Sequence, residues 1–210
     1  MKRVDSRPTG KIRIIAGRWR GSKLEVPGVS GLRPSSDRVR ETLFNWLQSS
    51  VGGARCLDLF AGSGALGFEA ASRGAAHVTM IERDPVALAG LRASVQKLGA
   101  DQIETIGADA LAWLARTPDR AFDLVFVDPP FSTGLHQKAL DALLPWLAAD
   151  AQVYVETARD AGLPVLAGFA PRREGATREV RCAILHRLAD GSRACAPATL
   201  MAPSGAEPAS

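Results

Sequence analysis

Residues 54–157 alternate between strand-like and helix-like stretches, and this rhythm restricts the fold more than any other feature. The predicted strands cover residues 54–60, 77–82, 102–107, 122–128 and 151–157. The predicted helices between them cover residues 65–74, 85–99, 109–117 and 135–149, the last bent or ended at Pro145. Strands separated by helices form βαβ units. The pattern therefore predicts an α/β fold, with a mostly parallel, doubly wound sheet and helices on both faces.

The segment before this alternation has a different pattern. Residues 11–27 read as two short strands around a glycine-bounded turn, which predicts a small β-hairpin arm. A helix is predicted to follow, with Asp37 as its N-cap and an apolar face formed by Val39, Leu43 and Leu47. We expect Arg38, Arg40 and Glu41 to lie off that face.

The chain after the alternation divides into two parts. Residues 171–188 predict a terminal antiparallel hairpin with a glycine-centred turn. Residues 189–210 are rich in Ala, Pro, Ser and Gly without periodicity, which predicts disorder. The expected organisation is a basic arm over residues 1–50, a main domain over residues 51–188 and this tail.

The charge is unevenly distributed along the chain. Residues 1–40 carry 11 Lys and Arg against 3 Asp and Glu, a balance of +8, whereas residues 41–210 carry 15 against 19, a balance of −4. A basic arm on a mildly acidic body suits a polyanionic partner, because cations that neutralise phosphates release counterions. The alternative is a solvated terminal extension.

Composition also predicts the compartment. No apolar run approaches the length of a membrane span, and the N-terminus has basic residues without the apolar core of a secretory signal. Cys56, Cys182 and Cys195 lack the spacing of metal ligands. We therefore expect reduced thiols, no metal site and a cytoplasmic protein.

The turn of the predicted arm places Trp19 between Arg18 and Arg20. An aromatic ring flanked by two guanidinium groups suits base stacking combined with phosphate contacts. Alternatively, Trp19 packs the arm onto the body of the protein. The sequence leaves both interpretations open.

A glycine-rich loop joins the first strand of the alternation to its helix. Gly62, Gly64 and Gly67 fit the pattern G-x-G-x-x-G, which lets a backbone approach a ligand at a helix N-terminus. Glu82 ends the next strand, 20 residues after Gly62, where a carboxylate can accept the hydroxyls of a ribose. The combination predicts a cofactor that contains a nucleoside.

Asp58 indicates which cofactor this is. It precedes Gly62 by four residues and directs a second negative group at the same crevice. That suits a cofactor with a cationic amino-acid end, such as S-adenosylmethionine, better than one with two phosphates. Asp109 opens a later helix, either as a hydrogen-bond acceptor for an adenine amino group or as an N-cap only.

An acid and two prolines stop the fourth strand of the alternation, in the stretch LVFVDPPF. The Asp128 carboxylate and a proline-held carbonyl can accept the two N–H groups of an exocyclic amine and free its lone pair for attack on a sulfonium methyl group. Phe131 can stack on the ring that bears the amine. Without a cofactor loop, Asp128, Pro129, Pro130 and Phe131 would be read as a rigid strand end.

These motifs together resemble a known family. DLFAGSGALG, Glu82 and DPPF, in this order, resemble the class I S-adenosylmethionine-dependent methyltransferases that modify exocyclic amines. With RIIAGRWRG, LRPSSDRVRETLFNWL and LVFVDPPF, the chain is similar to the RsmD family, bacterial 16S rRNA (guanine-N2)-methyltransferases. The resemblance covers residues 11 to about 188.

The resemblance implies a Rossmann-like, seven-stranded sheet and methyl transfer to the N2 of one guanine in 16S rRNA. The substrate would be the 30S subunit or a late assembly intermediate. We expect a monomer, because the chain must dock on a particle as large as a ribosomal subunit. By position, the cofactor would be lined by Asp58, Phe60, Gly62, Ser63, Gly64, Leu66 and Glu82, with Asp109 and Ala110 near its adenine. The target amine and base would be held by Asp128, Pro129, Pro130 and Phe131, and rRNA would be contacted by Arg18, Trp19, Arg20, Arg33 and Arg38.

Other functions remain to be weighed against this one. A DNA adenine-N6 or cytosine-N4 methyltransferase would use the same amine chemistry, but no second domain for reading and flipping a base is evident. A methyltransferase that acts on a protein side-chain amide would have no obvious use for the basic arm. A nicotinamide-dependent oxidoreductase leaves DPPF unexplained, and a non-catalytic RNA-binding module has no need of the glycine loop.

Overall fold

The computed structural model describes residues 10–26 and 37–188. Nine strands are present in this part of the chain: β1 (Gly10–Arg13), β2 (Lys23–Val26), β3 (Arg55–Asp58), β4 (His77–Glu82), β5 (Ile103–Gly107), β6 (Phe122–Val127), β7 (Leu147–Ala158), β8 (Phe169–Ala176) and β9 (Val180–Arg187). Five α-helices accompany them: α1 (Asp37–Trp46), α2 (Ala65–Ser72), α3 (Pro85–Leu98), α4 (Ala110–Leu114) and α5 (Leu135–Leu143). Arg33 and residues 189–210 lie outside the described residues.

Seven strands form the main sheet in the order β5-β4-β3-β6-β7-β9-β8. The first five are parallel, and β9 and β8 add an antiparallel hairpin at one edge. The chain order reverses between β3 and β6, and a ligand crevice forms at such a point, outside the carboxyl ends of the strands. The sheet thus confirms the predicted fold class, and β1 and β2 form the predicted small hairpin.

Helices cover both faces of the sheet. Strand β6 is buried along nearly its whole length, as its continuous apolar sequence predicts. On one face, Phe44 of α1 packs against Phe126, with 6.0 Å between the ring centroids. On the other face, Trp113 of α4 stacks on Trp146 at 4.2 Å. Among the described residues, no helix has the length and apolarity needed to cross a membrane.

A buried carboxylate fastens the hairpin arm to α2. The Glu69 side chain is inaccessible to solvent, and its two oxygens accept the backbone N–H groups of Ile15 at 2.8 Å and Ala16 at 3.1 Å. Arg73, one helical turn later, donates to the same carboxylate at 2.7 Å. A buried charge is tolerated when donors surround it, so this cluster makes the arm part of the main body.

The tip of the arm docks at the far end of α2. The backbone N–H of Arg18 donates to the Ser72 carbonyl at 2.7 Å, and that of Trp19 donates to the Ser72 hydroxyl at 3.0 Å. Trp19 is only 9% exposed and belongs to the same core as β3 and α1. The structure therefore supports the packing interpretation of Trp19, because a buried ring offers no face for a base.

Three sequence-based expectations need correction. Arg40 is buried, because its guanidinium donates to the Arg13 carbonyl at 2.9 Å and to Asp37 at 2.6 Å. Residues 147–149 belong to β7, because a 3₁₀ turn at Pro145 ends the helical segment. Gly175 is not a turn residue: it lies within β8 against Trp46, where an added Cβ would come within 2.8 Å of the indole.

Two glycines of the arm allow its docking against α2 to be tested. Gly17 has a φ of +81° and lies where a Cβ would be 1.8 Å from the Ser72 carbonyl oxygen, whereas Gly21 has a φ of +85° and open space around it. Both Gly→Ala changes carry the left-handed strain, about 1–2 kcal/mol. We expect Gly17→Ala to lower the free energy of unfolding in urea by clearly more than Gly21→Ala. Equal losses would contradict the docking contact.

Candidate active site

Acidic side chains end three neighbouring strands of the sheet on the same side. Asp58 ends β3, Glu82 ends β4 and Asp128 directly follows β6. Since these strands are parallel, their carboxyl ends meet at one edge. The Leu59 N–H bonds to the Phe126 carbonyl at 3.1 Å, which brings the start of the glycine loop beside the end of β6. The fold thus gathers the residues that the sequence singled out.

Asp58 is a buried acid beneath the first turn of α2. It is 3% exposed, and its Oδ2 accepts the N–H of Gly67 at 3.0 Å. Burial raises the pKa of Asp58 from 3.8 to about 7, and the nearby Glu82 carboxylate adds to this effect, while the Gly67 hydrogen bond opposes it. A cation in the crevice would relieve the unfavourable burial of this charge.

Gly67 is required by this close packing. A Cβ at this position would meet the Met80 methyl group at 2.4 Å and the Asp58 Oδ2 at 3.2 Å. The third glycine of the motif therefore lets α2 approach both β4 and the Asp58 carboxylate. This is helix-to-strand packing, and it brings the N-terminus of α2 to the crevice.

Glu82 links the glycine loop to the next helix. Its Oε2 accepts the N–H of Gly62 and its Oε1 accepts the N–H of Asp84, both at 2.7 Å. Asp84 in turn caps α3 by accepting the N–H groups of Val86 and Ala87. A carboxylate has about four lone-pair positions, so Glu82 keeps capacity for hydroxyl groups of a ligand.

The remaining residues predicted to bind the cofactor lie in different environments. Asp109 is the N-cap of α4 and accepts the N–H of Ala112 at 3.1 Å, which fulfils the capping interpretation without using its second oxygen. Leu66 and Ala110 are buried in the cores on either face. Ser63 is buried and Phe60 is half-buried beside them.

The segment after Asp128 is a compact turn. The Pro130 carbonyl accepts both the backbone N–H of Thr133 at 3.0 Å and its hydroxyl at 2.6 Å. Pro129 is buried and Pro130 is exposed. Phe131 is 45% exposed and is one of two exposed large hydrophobic residues among those that the structure describes. An exposed phenyl ring at the crevice rim has a face available for a flat partner.

Sequence reasoning missed the support behind this segment. Glu156 of β7 is buried, and its Oε2 accepts the Tyr154 hydroxyl at 2.6 Å. Its backbone carbonyl lies 2.7 Å from His136 Nε2, so that nitrogen carries a proton and donates. His136 is the second residue of α5. Its hydrogen bond therefore fastens the start of the helix that follows the turn to β7. A glutamate within the apolar stretch VYVET was the available signal.

The predicted RNA-binding residues are not gathered at the crevice. Gly74, just after α2, bonds to Gly53, just before β3, so the C-terminus of α2 lies at the amino ends of the strands. Arg18 and Arg20 are exposed beside that end, about 12 Å along α2 from the glycine loop. Arg38 is exposed on the first turn of α1. Within the described residues, no cluster of three or more His, Cys, Asp or Glu side chains could hold a metal ion.

Comparison with known proteins identifies the family. The family described as conserved hypothetical protein 95 matches residues 12–186, most of the chain. The chain belongs to this family. It is the RsmD family that the motifs resemble.

Relatives within the RsmD family are similar over nearly their whole length. Ribosomal RNA small subunit methyltransferase D of Escherichia coli K12 is 44% identical over 196 residues, which cover 91% of this chain and 98% of the relative. The protein of the same name from Haemophilus influenzae is 45% identical over 76% of this chain and 86% of its own. The solved structure of yhhF from Escherichia coli matches 86% of this chain and 99% of its own, with a TM-score of 0.79 and 43% identity.

The raised pKa of Asp58 predicts a pH-dependent stability. Because the folded-state value of about 7 exceeds the ordinary 3.8, ionisation of Asp58 is penalised in the folded protein. The free energy of unfolding of Asp58→Asn, relative to the unmodified protein, should therefore increase from about pH 4 to pH 7 and then level off, by up to about 4 kcal/mol. Denaturant titrations at several pH values measure this difference.

The matched control for this experiment is Asp101→Asn, because Asp101 is exposed. Its difference from the unmodified protein should stay small across the same pH range. A flat difference for Asp58→Asn as well would mean that Asp58 ionises as freely in the folded protein as in the unfolded chain.

Proposed function

We propose that this protein transfers a methyl group from S-adenosylmethionine to the exocyclic N2 amine of a guanine in 16S rRNA. The observation that carries the proposal is the position of Asp128, which follows β6 directly beside the glycine loop that leaves β3. The names of the two relatives support small-subunit rRNA as the substrate, because both are called ribosomal RNA small subunit methyltransferase D. The choice of guanine N2 rests on the motif resemblance.

The residues of the crevice fit S-adenosylmethionine. A buried carboxylate at Asp58, whose pKa is raised to about 7, favours a ligand with a cationic amino group over one with a pyrophosphate. The remaining lone pairs of Glu82 suit the two hydroxyls of a ribose, and the second oxygen of Asp109 suits an adenine amino group. Bound there, the cofactor supplies an electrophilic methyl group on its sulfonium.

The protein's own contribution is to prepare the amine. The guanine N2 lone pair is delocalised into the ring, so the nitrogen is a weak nucleophile. Asp128 accepts one N–H, and a backbone carbonyl accepts the other, which draws the nitrogen toward tetrahedral geometry. Thr133 already supplies two donors to the Pro130 carbonyl, so we assign the second acceptor to the Pro129 carbonyl. The proton released after N–C bond formation goes to Asp128 or to water.

Phe131 and the turn around it hold the target base. The exposed phenyl ring can stack on the purine, while the Thr133 hydrogen bonds and His136 keep the turn rigid. Rigid acceptors need no reorganisation during the reaction. The substrate that we propose is the 30S subunit or a late assembly intermediate, with the enzyme acting as a cytoplasmic monomer and with Arg18, Arg20, Arg33 and Arg38 as further rRNA contacts.

Methyl-transfer assays test the assignment. Purified protein would be incubated with methyl-labelled S-adenosylmethionine and with unmodified 30S subunits, bare 16S rRNA or duplex DNA in separate reactions. We expect N2-methylguanine in rRNA, formed about 10²–10³-fold more slowly by Asp128→Asn because one transition-state acceptor is weakened. Affinity for the cofactor, measured by calorimetry, should be unchanged.

Asp141→Asn provides the control, since Asp141 is an exposed acid on α5 outside the crevice. It should retain the full rate. Label recovered only from DNA would keep the amine chemistry and overturn the rRNA substrate, and label in rRNA at a base other than guanine would overturn the assignment of N2. An undiminished rate for Asp128→Asn would remove Asp128 from the reaction.

A further inference from the structure

The crevice has two flanks, and the proposed cofactor residues occupy only one of them. Asp58 and Glu82 lie on β3 and β4, whereas β7, β9 and β8 follow β6 on the opposite side. A polymer whose base reaches Asp128 can therefore lie over the β7–β9 flank without covering the proposed cofactor residues. The question is what this flank offers to a chain of phosphates.

The end of β7 and the start of β9 meet at the same edge as Asp128. Val127, the last residue of β6, is in register with Val155, and Ala158 pairs with Val180. Ala158 lies three residues beyond Val155, which is about 10 Å along the strand. The turn between β8 and β9 therefore projects beyond the end of β6 on the crevice side, with β7 between it and the Asp128 segment.

Three arginines gather at this edge. Arg159 directly follows β7, Arg178 is in the turn between β8 and β9, and Arg181 is the second residue of β9. Arg159 and Arg178 are exposed and Arg181 is half-buried. No carboxylate of the described residues forms a salt bridge with them, in contrast to Arg40, Arg73 and Arg120, which are paired. We call these three residues the edge arginines.

The backbone that carries the edge arginines is held in place. The Arg159 N–H donates to the Glu179 carbonyl at 2.8 Å, which joins the end of β7 to the turn. The Thr177 hydroxyl accepts the N–H groups of Glu179 at 3.3 Å and Val180 at 3.1 Å, and the Thr177 N–H bonds to the Val180 carbonyl. A backbone that is already fixed before binding reduces the conformational freedom that is lost on binding.

Charge and exposed apolar groups on this flank fit a nucleic acid strand. Residues 159–181 carry 5 Arg against 3 acidic residues, two of which, Asp160 and Glu179, lie near the edge arginines. The remaining residues of the body, 41–158 and 182–210, carry 10 Lys and Arg against 16 Asp and Glu. The two exposed large hydrophobics, Phe131 and Val165, lie on this flank, where Gln137 of α5 bonds to both backbone groups of Val165.

We infer that Arg159, Arg178 and Arg181 form a docking surface for the phosphates of the RNA strand that flanks the target base. This inference rests on the proposed function and specifies where its substrate lies. Guanidinium groups bind phosphate in two-pronged geometry, and a stacked base beside them is the usual arrangement in single-strand recognition. This surface is separate from the arm, whose exposed tip lies beside the amino ends of the strands.

The test compares two triple variants with the same loss of charge. The first is Arg159→Ala/Arg178→Ala/Arg181→Ala, and the control is Arg55→Ala/Arg92→Ala/Lys97→Ala, whose residues are exposed and away from the crevice edge. Both would be assayed for methyl transfer to 30S subunits, for binding of bare 16S rRNA across about 50–200 mM salt, and for binding of S-adenosylmethionine.

For the edge-arginine variant we expect a roughly tenfold higher KM for rRNA and an unchanged kcat. The slope of log affinity against log salt should become shallower by about 2, because each single-strand phosphate contact contributes about 0.7. Affinity for S-adenosylmethionine should match that of the unmodified protein, which also reports an intact fold. As single changes in a protein that keeps Arg159 and Arg181, Arg178→Lys should retain more of the affinity for rRNA than Arg178→Ala does.

Two outcomes separate this inference from the function on which it rests. If the unmodified protein methylates rRNA and the edge-arginine variant has the same KM and salt slope as the control variant, the inferred docking surface is wrong and the proposed function stands. If the unmodified protein transfers no methyl group to rRNA, the proposed function fails, and the docking surface fails with it.

Discussion

Two carboxylates at adjacent strand ends hold the glycine loop, and the crevice depends on them. Asp58 accepts the N–H of Gly67, and Glu82 accepts that of Gly62, so both ends of the loop are tied to the sheet. An acid near the N-terminus of a helix is also favoured by the helix dipole, which offsets part of the cost of burying Asp58. The loop is thereby shaped before any ligand arrives, with two carboxyl groups in fixed positions beside it.

A third buried carboxylate organises the other side of α2. Glu69 joins the arm to the helix that follows the glycine loop, and Arg40 of α1 lies 3.8 Å away in the same cluster. The arm, α1 and the sheet share one hydrophobic core through Trp19 and Phe44. We propose that the division at residue 50 marks a change in sequence pattern within a continuous body, in which α2 connects the arm to the crevice.

The sequence predicted what local patterns determine and missed what distant contacts determine. The alternation of apolar runs was sufficient for the parallel sheet, and the glycines with Glu82 were sufficient for the loop, because both are periodic or short-range signals. The burial of Arg40 and Trp19 depends on partners more than 25 residues away, which a single sequence does not show. For the same reason the Glu156 contacts with His136 remained unseen, and the alanine-rich start of β7 was read as helix.

The polar contacts that attach the arm are made by its main chain, in addition to the burial of Trp19. Glu69 and Ser72 bind the backbone groups of residues 15, 16, 18 and 19, and Gly17 permits the close approach because it has no side chain. Lys11, Arg13 and Arg20 are exposed, and Arg18 is exposed with its guanidinium 5.5 Å from the centroid of the Trp19 ring. Natural variation can therefore alter the charge pattern of this surface while the main-chain anchor stays the same, so the fold does not dictate how basic the arm is.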